Sequence, residues 1–305
     1  MVFIYLTQYG PVLAGITIAV LWRLIRRERN PLTGRTTVIF AILAALLGVL
    51  SELLAKSINV SFTWPIDVFA PVRGWSMDMR FIAPLITGIV GLVLLAFPVH
   101  RRLGDGSAEL SRRTPLTFIR GWWLIPPTLV LALILTATLA AGAASERDEI
   151  TGDYTNYTVH LGGENSIGTS IYGWYFSVPA LVLMALVLLV AAVDIVLISR
   201  PALQKDAVRD SAVRHTRTRN VLAAVTATFL MHLATILSSL YGTSSMRGMF
   251  SSSIGTVHTW TPFAALGPTL LGAAYVVGAC GVALWASIAL SAIPARTMPP
   301  HTRRS

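Results

Sequence analysis

Long apolar segments alternate with short polar ones along this chain, and the pattern predicts helices that cross a membrane. A spanning helix needs about 20 mostly apolar residues at a rise of about 1.5 Å each. Segments of that kind recur, separated by Pro, Gly, Ser and charged residues that end a helix. The pattern predicts one all-α domain, a polytopic bundle of about seven transmembrane helices, at residues 3–22, 37–57, 80–99, 122–144, 174–198, 220–241 and 264–290.

Composition supports a lipid environment for these helices. Of the 305 residues, 54% are hydrophobic and only 12% are charged, whereas a soluble domain carries about 25% charged residues. The mean hydropathy of +0.66 leaves too little polar surface to cover a water-soluble globule of this size. We therefore expect membrane lipids to surround most of the chain.

The distribution of basic residues predicts the orientation of the bundle. Short segments rich in Lys and Arg are retained on the cytoplasmic side of a membrane. Of the 24 basic residues, 19 lie in one set of alternating segments and 5 in the other. The N-terminus is therefore predicted outside and the C-terminus in the cytoplasm. The basic set comprises Arg23, Arg26, Arg27, Arg29, Arg35, Arg101, Arg102, Arg112, Arg113, Arg120, Arg200, Lys205, Arg209, Arg214, Arg217, Arg219, Arg296, Arg303 and Arg304.

Residue usage indicates the source and limits the partners. Nearly all the basic residues are arginine, and together with abundant alanine this is typical of a GC-rich bacterial genome. We therefore predict a multi-pass protein of the bacterial plasma membrane. The net charge of +10 is spread over short clusters without a continuous basic stripe, so no nucleic acid partner is expected.

One outer segment, residues 145–173, predicts a small extracytoplasmic β-hairpin. It opens with acidic residues and then alternates polar and apolar positions from Tyr154 to Leu161. A Gly-Gly-Glu-Asn turn signal follows, and a second run extends from Ser166 to Tyr172. The Ser-rich outer segment 242–262 gives a weaker pattern, compatible with a re-entrant segment.

A polar stripe on the sixth predicted helix is the main candidate for chemistry. Thr228, His232, Thr235 and Ser239 recur at helical spacing and share one face. Such a face should point into the bundle or a wet cavity, because lipid leaves polar groups without partners. It serves either interhelical hydrogen bonding or a polar pathway in which His232 contacts a proton or substrate. A third alternative, a haem ligand, has only Met184 as a similarly deep partner.

Acidic residues within two other predicted helices are interpreted as boundary groups. Glu52 and Lys56 lie one turn apart near the outer end of the second helix, in the favourable acid-before-base order. Lys56 can extend to the interface, so we predict an interfacial ion pair. Asp194 lies near Arg200 at the inner end of the fifth helix and is interpreted in the same way.

Several functional classes are excluded by missing residues. The predicted last span contains no lysine, so it cannot hold retinal as a Schiff base. HExxH and GxxxxGK[ST] are absent, which excludes the usual zinc metalloprotease site and a P-loop. The single Cys280 excludes a disulfide framework, a Cys-based zinc site and an iron–sulfur cluster. We expect neither a metal nor a cofactor.

These observations favour a non-enzymatic component of a membrane transport or export system. In this interpretation the basic inner segments contact a soluble partner such as a cytoplasmic ATPase, and the face of His232 lines a path. Two alternatives stay open. In the first, the chain is an accessory subunit of a larger membrane complex, for example a respiratory assembly with other membrane subunits. In the second, it is a sensor whose outer loops bind a ligand.

Overall fold

A computed structural model describes residues 2–26, 32, 34–64, 66–97, 118–162, 165–199, 207–252 and 255–293. These residues form a mostly helical bundle with two small sheets. In the described ranges the helices are α1 Val2–Arg26, α2 Arg35–Val60, α3 Ala70–Met79, α4 Ala83–Ala96, α5 Ile125–Ala143, α6 Trp174–Ser199, α7 Ala207–Ser244 and α8 Gly267–Ser291. The strands there are β1 Glu146–Arg147, β2 Tyr154–Gly162, β3 Asn165–Ser170, β4 Arg247–Ser252 and β5 Gly255–Trp260.

The helices have the length and composition of membrane spans. Within the described residues, six helical segments are long and apolar enough to cross a membrane, and the number rises to seven if α3 and α4 together form one span. The chain is therefore a multi-pass helical membrane protein with small sheets, as the hydrophobic pattern predicts at this level of detail.

The helix in the third predicted span, approximately 80–99, is shorter than predicted. Helix α4 has 14 residues, about 21 Å at the usual helical rise, against a hydrocarbon core of about 30 Å. Helix α3 precedes it at an angle of 81°. Pro84 lies in the first turn of α4, and its missing N–H and its ring prevent the helix from continuing back through Arg80.

Helix α7 begins well before the predicted position of 220. Its 38 residues take in Arg214, Arg217 and Arg219, which the sequence pattern assigns to a connecting loop. Arg214 and Arg217 are buried, with exposed fractions of 0% and 7%. Charged residues lower hydropathy whether or not they are buried, so the pattern could not separate this buried segment from a solvated loop. Arg200 and Lys205, also assigned to this loop, lie outside the described residues.

The bundle has two distinct ends. Helices α1, α2 and α4 to α8 run alternately between them. We call the end at Arg214 and Arg217 the arginine end, and the opposite end, next to β2 to β5, the hairpin end. Helix α7 lies at the centre and packs against α4, α5, α6 and α8, while α8 also packs against α1 and α2.

Small residues permit the closest helix contacts. Trp285 of α8 is 1% exposed and lies against Gly48 of α2 and Gly91 of α4, at positions where an added Cβ would collide with the indole. Gly15 of α1 makes a comparable approach to Val282. This matches the expectation that helices in lipid associate through close backbone packing.

Both sheets are built from antiparallel hairpins. The hairpin predicted in the segment 145–173 is present, with Tyr157 opposite Thr169 and Val159 opposite Ile167. Part of its turn, residues 163–164, lies outside the described residues. A second hairpin, with Arg247 opposite Trp260, occupies the Ser-rich segment 242–262, whose sequence pattern was weak.

Candidate functional site

His232 lies in the interior of the bundle and joins three elements. It is 0% exposed, and its Nδ1 is 2.8 Å from the carbonyl oxygen of Phe81. A carbonyl can only accept, so Nδ1 carries the proton and donates. The hydroxyl of Tyr172 lies 3.4 Å from Nε2. In this tautomer Nε2 carries no proton, so the hydroxyl donates a long, weak hydrogen bond to it.

The Phe81 carbonyl needs a partner because of the break between α3 and α4. The first backbone bond at the start of α4 runs from the amide of Ile86 to the carbonyl of Ile82, at 3.0 Å. Phe81 precedes that bond and is 0% exposed. An unpaired backbone carbonyl is costly where no water reaches it. His232 therefore satisfies a backbone group that the helix break leaves open.

The other residues of the predicted stripe bond within α7. The Thr228 hydroxyl donates to Ala224 at 2.8 Å, and the Thr235 hydroxyl donates to Met231 at 3.1 Å. Thr228 also packs against Gly88, where a Cβ would collide with it. Thr228 and His232 are buried, whereas Thr235 and Ser239 are half-buried. The contact of Thr228 with Gly88 is a packing contact between α7 and α4. A polar pathway along the stripe stays a prediction.

Ser239, the fourth member of the stripe, is half-buried, and its backbone carbonyl accepts a hydrogen bond from the Thr243 hydroxyl at 3.1 Å.

The predicted ion pair of α2 is formed. Lys56 Nζ lies 3.2 Å from Glu52 Oε1, and both side chains are partly exposed. The interfacial position of this pair stays a prediction.

A cluster at the arginine end was not predicted. Arg217 of α7 donates to the carbonyl of Ala96 at 2.9 Å and lies 3.4 Å from that of Leu95. These are the last carbonyls of α4, which have no partner within their own helix. Asp194 of α6 is 1% exposed and faces the charge of Arg217. It is thus buried between helices, and its position at the membrane boundary stays a prediction.

Arg214 makes the equivalent contact with α6. Its guanidinium donates to the carbonyl of Ile198, and its Nε donates to Asp210 at 2.8 Å. It also stacks over the ring of Phe118 at 5.4 Å. Cations near helix C-termini are favoured by the helix dipole. The spacing of Asp210 and Arg214, one helical turn apart, was the available sequence signal that this segment is helical.

A groove with a volume of about 770 Å³ lies between α1, α5, α7 and α8. We call it the α7 groove. Its lining reaches the arginine end, and we call that part of the groove its mouth. Apart from Thr226 and Ser287, its deeper walls are apolar. They comprise Ile18, Ala19, Pro126, Leu129, Val130, Leu222, Ala223, Leu230, Cys280, Ala283 and Leu284.

The mouth of the α7 groove is basic and aromatic. Arg23, Arg120 and Arg219 line it together with His215, and no Asp or Glu does so among the described residues. Arg120 lies 5.8 Å from the centre of the Trp123 ring, and Arg23 donates to the carbonyl of Ile293 at 2.7 Å. The groove therefore joins a positive mouth to an apolar interior.

Within the described ranges, no group of three or more His, Cys, Asp or Glu residues is placed to hold a metal ion. Comparisons with family models, with characterised proteins and with solved structures find no match to this chain.

Proposed function

We propose that the chain is a non-enzymatic component of a transport or export system in a bacterial plasma membrane. Its N-terminus is outside, its C-terminus is in the cytoplasm, and α3 with α4 forms one of seven spans. The observation that carries this proposal is the α7 groove, an open amphipathic cavity bounded by four helices. Sites of this size between the helices of a bundle commonly accept small molecules.

The α7 groove, and not the face of His232, is the better substrate contact. His232 is enclosed and hydrogen-bonded to the Phe81 backbone, whereas the groove is a partly open cavity whose lining reaches the arginine end. In the proposed orientation that end is cytoplasmic. A cytoplasmic ATPase bound to the basic segments there would lie next to the mouth.

A variant that fills the groove tests this proposal. Ser287 lines the groove on α8, and Ser287→Trp places an indole in it. Val276 lies on the same helix and is 65% exposed, so Val276→Trp adds the same side chain outside the groove. Each variant is expressed in a deletion strain, and the exported compounds are compared by mass spectrometry with those of the complemented strain.

The expected result is that Ser287→Trp loses export at an unchanged protein level, while Val276→Trp retains it. Full export by Ser287→Trp would contradict the proposal.

Purification of the chain in a mild detergent identifies its partner. An ATPase recovered with the chain supports transport, whereas a stoichiometric set of membrane subunits supports the accessory role instead.

A sensor is the second candidate, favoured by contacts at the hairpin end. The first hairpin packs on the second, where Ile167 lies against Gly248. The Tyr157 and Phe263 rings meet edge to face at 5.6 Å. The Thr243 hydroxyl near the end of α7 shares its proton between the carbonyls of Ser239 and Ser170, the latter at 2.9 Å. A ligand that binds the hairpins would thus act on α7 through these contacts.

Deletion of residues 154–170 tests the sensor function. The deletion should abolish a cellular response while membrane insertion is retained, and a retained response would remove this candidate.

A further inference from the structure

We infer that the α7 groove binds one anionic phospholipid of the surrounding membrane, with its phosphate at the mouth and an acyl chain along the apolar interior. The inference rests on the proposed function in one respect, since the phospholipid is the molecule that the groove of such a transport component would carry. Three independent features of the described residues support it.

The first feature is charge. Arg23, Arg120 and Arg219 converge on the mouth without an acidic residue among the groove's described lining. A guanidinium presents a planar set of donors that matches phosphate oxygens. Basic pockets between membrane helices on the cytoplasmic side bind anionic head groups in the same way. A zwitterionic head group would place a cationic amine beside these arginines, which an anionic head group does not.

The second feature is length. On α8 the lining runs from Leu290 near the mouth to Cys280, ten residues or about 15 Å along the helix. Half of a hydrocarbon core of about 30 Å is also about 15 Å. The groove is thus as deep as one leaflet, and its interior matches a lipid tail in both length and polarity.

The third feature is the position of tryptophan. Trp22, Trp122 and Trp123 line the groove next to the arginines. Indole rings favour the level of the lipid head groups. Their location places the mouth at the depth where a phospholipid phosphate lies.

Cys280 provides a reporter for occupancy. It is the only cysteine of the chain, it is exposed, and it lines the deep part of the groove. Delipidated full-length protein in detergent is titrated with phosphatidylglycerol or with phosphatidylcholine of the same acyl chains. Bound lipid is counted by native mass spectrometry, and alkylation of Cys280 by N-ethylmaleimide is timed in parallel.

Phosphatidylglycerol is expected to bind as one adduct and to slow Cys280 alkylation at concentrations where phosphatidylcholine does neither. Arg120→Gln should weaken this binding about fivefold, the effect of one basic residue at a membrane surface. Arg147→Gln is the matched control, because Arg147 is exposed at the hairpin end, and it should bind normally. Inorganic phosphate alone should leave alkylation unchanged, since it cannot fill the interior.

Equal protection by phosphatidylcholine, or protection by inorganic phosphate alone, would overturn the assignment. The two proposals fail separately. If Ser287→Trp loses export but phosphatidylglycerol shows no preference, transport survives and the lipid assignment is refuted. If phosphatidylglycerol binds and protects Cys280 while Ser287→Trp exports normally, the lipid site survives and transport is refuted.

Discussion

His232 on α7 donates a hydrogen bond to the backbone carbonyl of Phe81, 151 positions earlier in the chain. The acceptor lies where the chain turns from α3 into α4, and both residues are fully buried. The imidazole thus satisfies the backbone at the buried break between α3 and α4. This hydrogen bond gives the buried histidine a structural role, and its burial requires no chemical role.

Replacement of this histidine should cost stability before it costs function. His232→Ala leaves the Phe81 carbonyl unpaired and creates a cavity, so we expect a loss of about 1–3 kcal/mol. His232→Asn keeps a donor near the Nδ1 position and should recover part of the loss. Thermal unfolding in detergent measures both. Thr235→Ala on the same face is the control and should change little. An unchanged melting temperature with a lost export phenotype would favour the polar pathway instead.

The charges at Asp194 and Arg217 should be coupled. Arg217→Met leaves the last carbonyls of α4 and the buried carboxylate of Asp194 without this cation, and we expect a loss of about 3 kcal/mol. Adding Asp194→Asn removes the carboxylate charge and should restore part of that stability. The four proteins form a double-mutant cycle measured by unfolding. Strictly additive effects would show that these two charges do not interact.

The close packing of Trp285 on Gly48 gives a third prediction. Gly48→Ala forces a methyl group into the indole, so we expect a destabilisation of about 1–3 kcal/mol. Gly272→Ala in α8 is the matched control, because an added Cβ there meets nothing within 4 Å. It should be neutral or gain up to about 1 kcal/mol from helix propensity. Equal melting temperatures for the two variants would contradict the packing described.

Asp148 in the loop before β2 should stay ionised in acid. Hydrogen bonds from the Thr151 and Ile150 amides, and from the side chains of Asn156 and Thr151, lower its pKa below the ordinary value of 3.8. Because the pKa of Asp148 is lower in the folded state, the ionised carboxylate stabilises this loop at every pH above its unfolded pKa. This contribution is lost as the pH falls through the folded pKa. Carboxyl ¹³C shifts of the labelled full-length protein, assigned with Asp148→Asn, give the midpoint. Asn156→Ala should raise it, and an unaltered midpoint would remove that hydrogen bond as a cause.

Hydropathy was sufficient to predict several apolar helices that could span a membrane, because lipid imposes the same requirement on every helix that crosses it. Helices α4 and α7 differ in extent from the predicted spans for a common reason, since both depend on partners elsewhere in the chain. The break before Pro84 is tolerated because His232 supplies a donor, and the basic start of α7 is buried because Arg214 and Arg217 meet helix ends. Neither partner can be identified from local composition.

The candidate sites divide in a similar way. Helical spacing predicted that Thr228 and His232 share an inward face, because that depends on a single helix. The α7 groove could not be predicted, because its walls come from four helices whose neighbours are set by packing. Its residues, such as Arg120 and Cys280, lie far apart in the sequence and carry no shared motif.

Helix α7 is about 57 Å long at the usual rise, nearly twice the thickness of the hydrocarbon core. One uninterrupted helix therefore joins the arginine contacts near one end to the Thr243 contact near the other. Because α7 also packs against α4, α5, α6 and α8, a displacement at either end would be transmitted along the helix to these four neighbours as well.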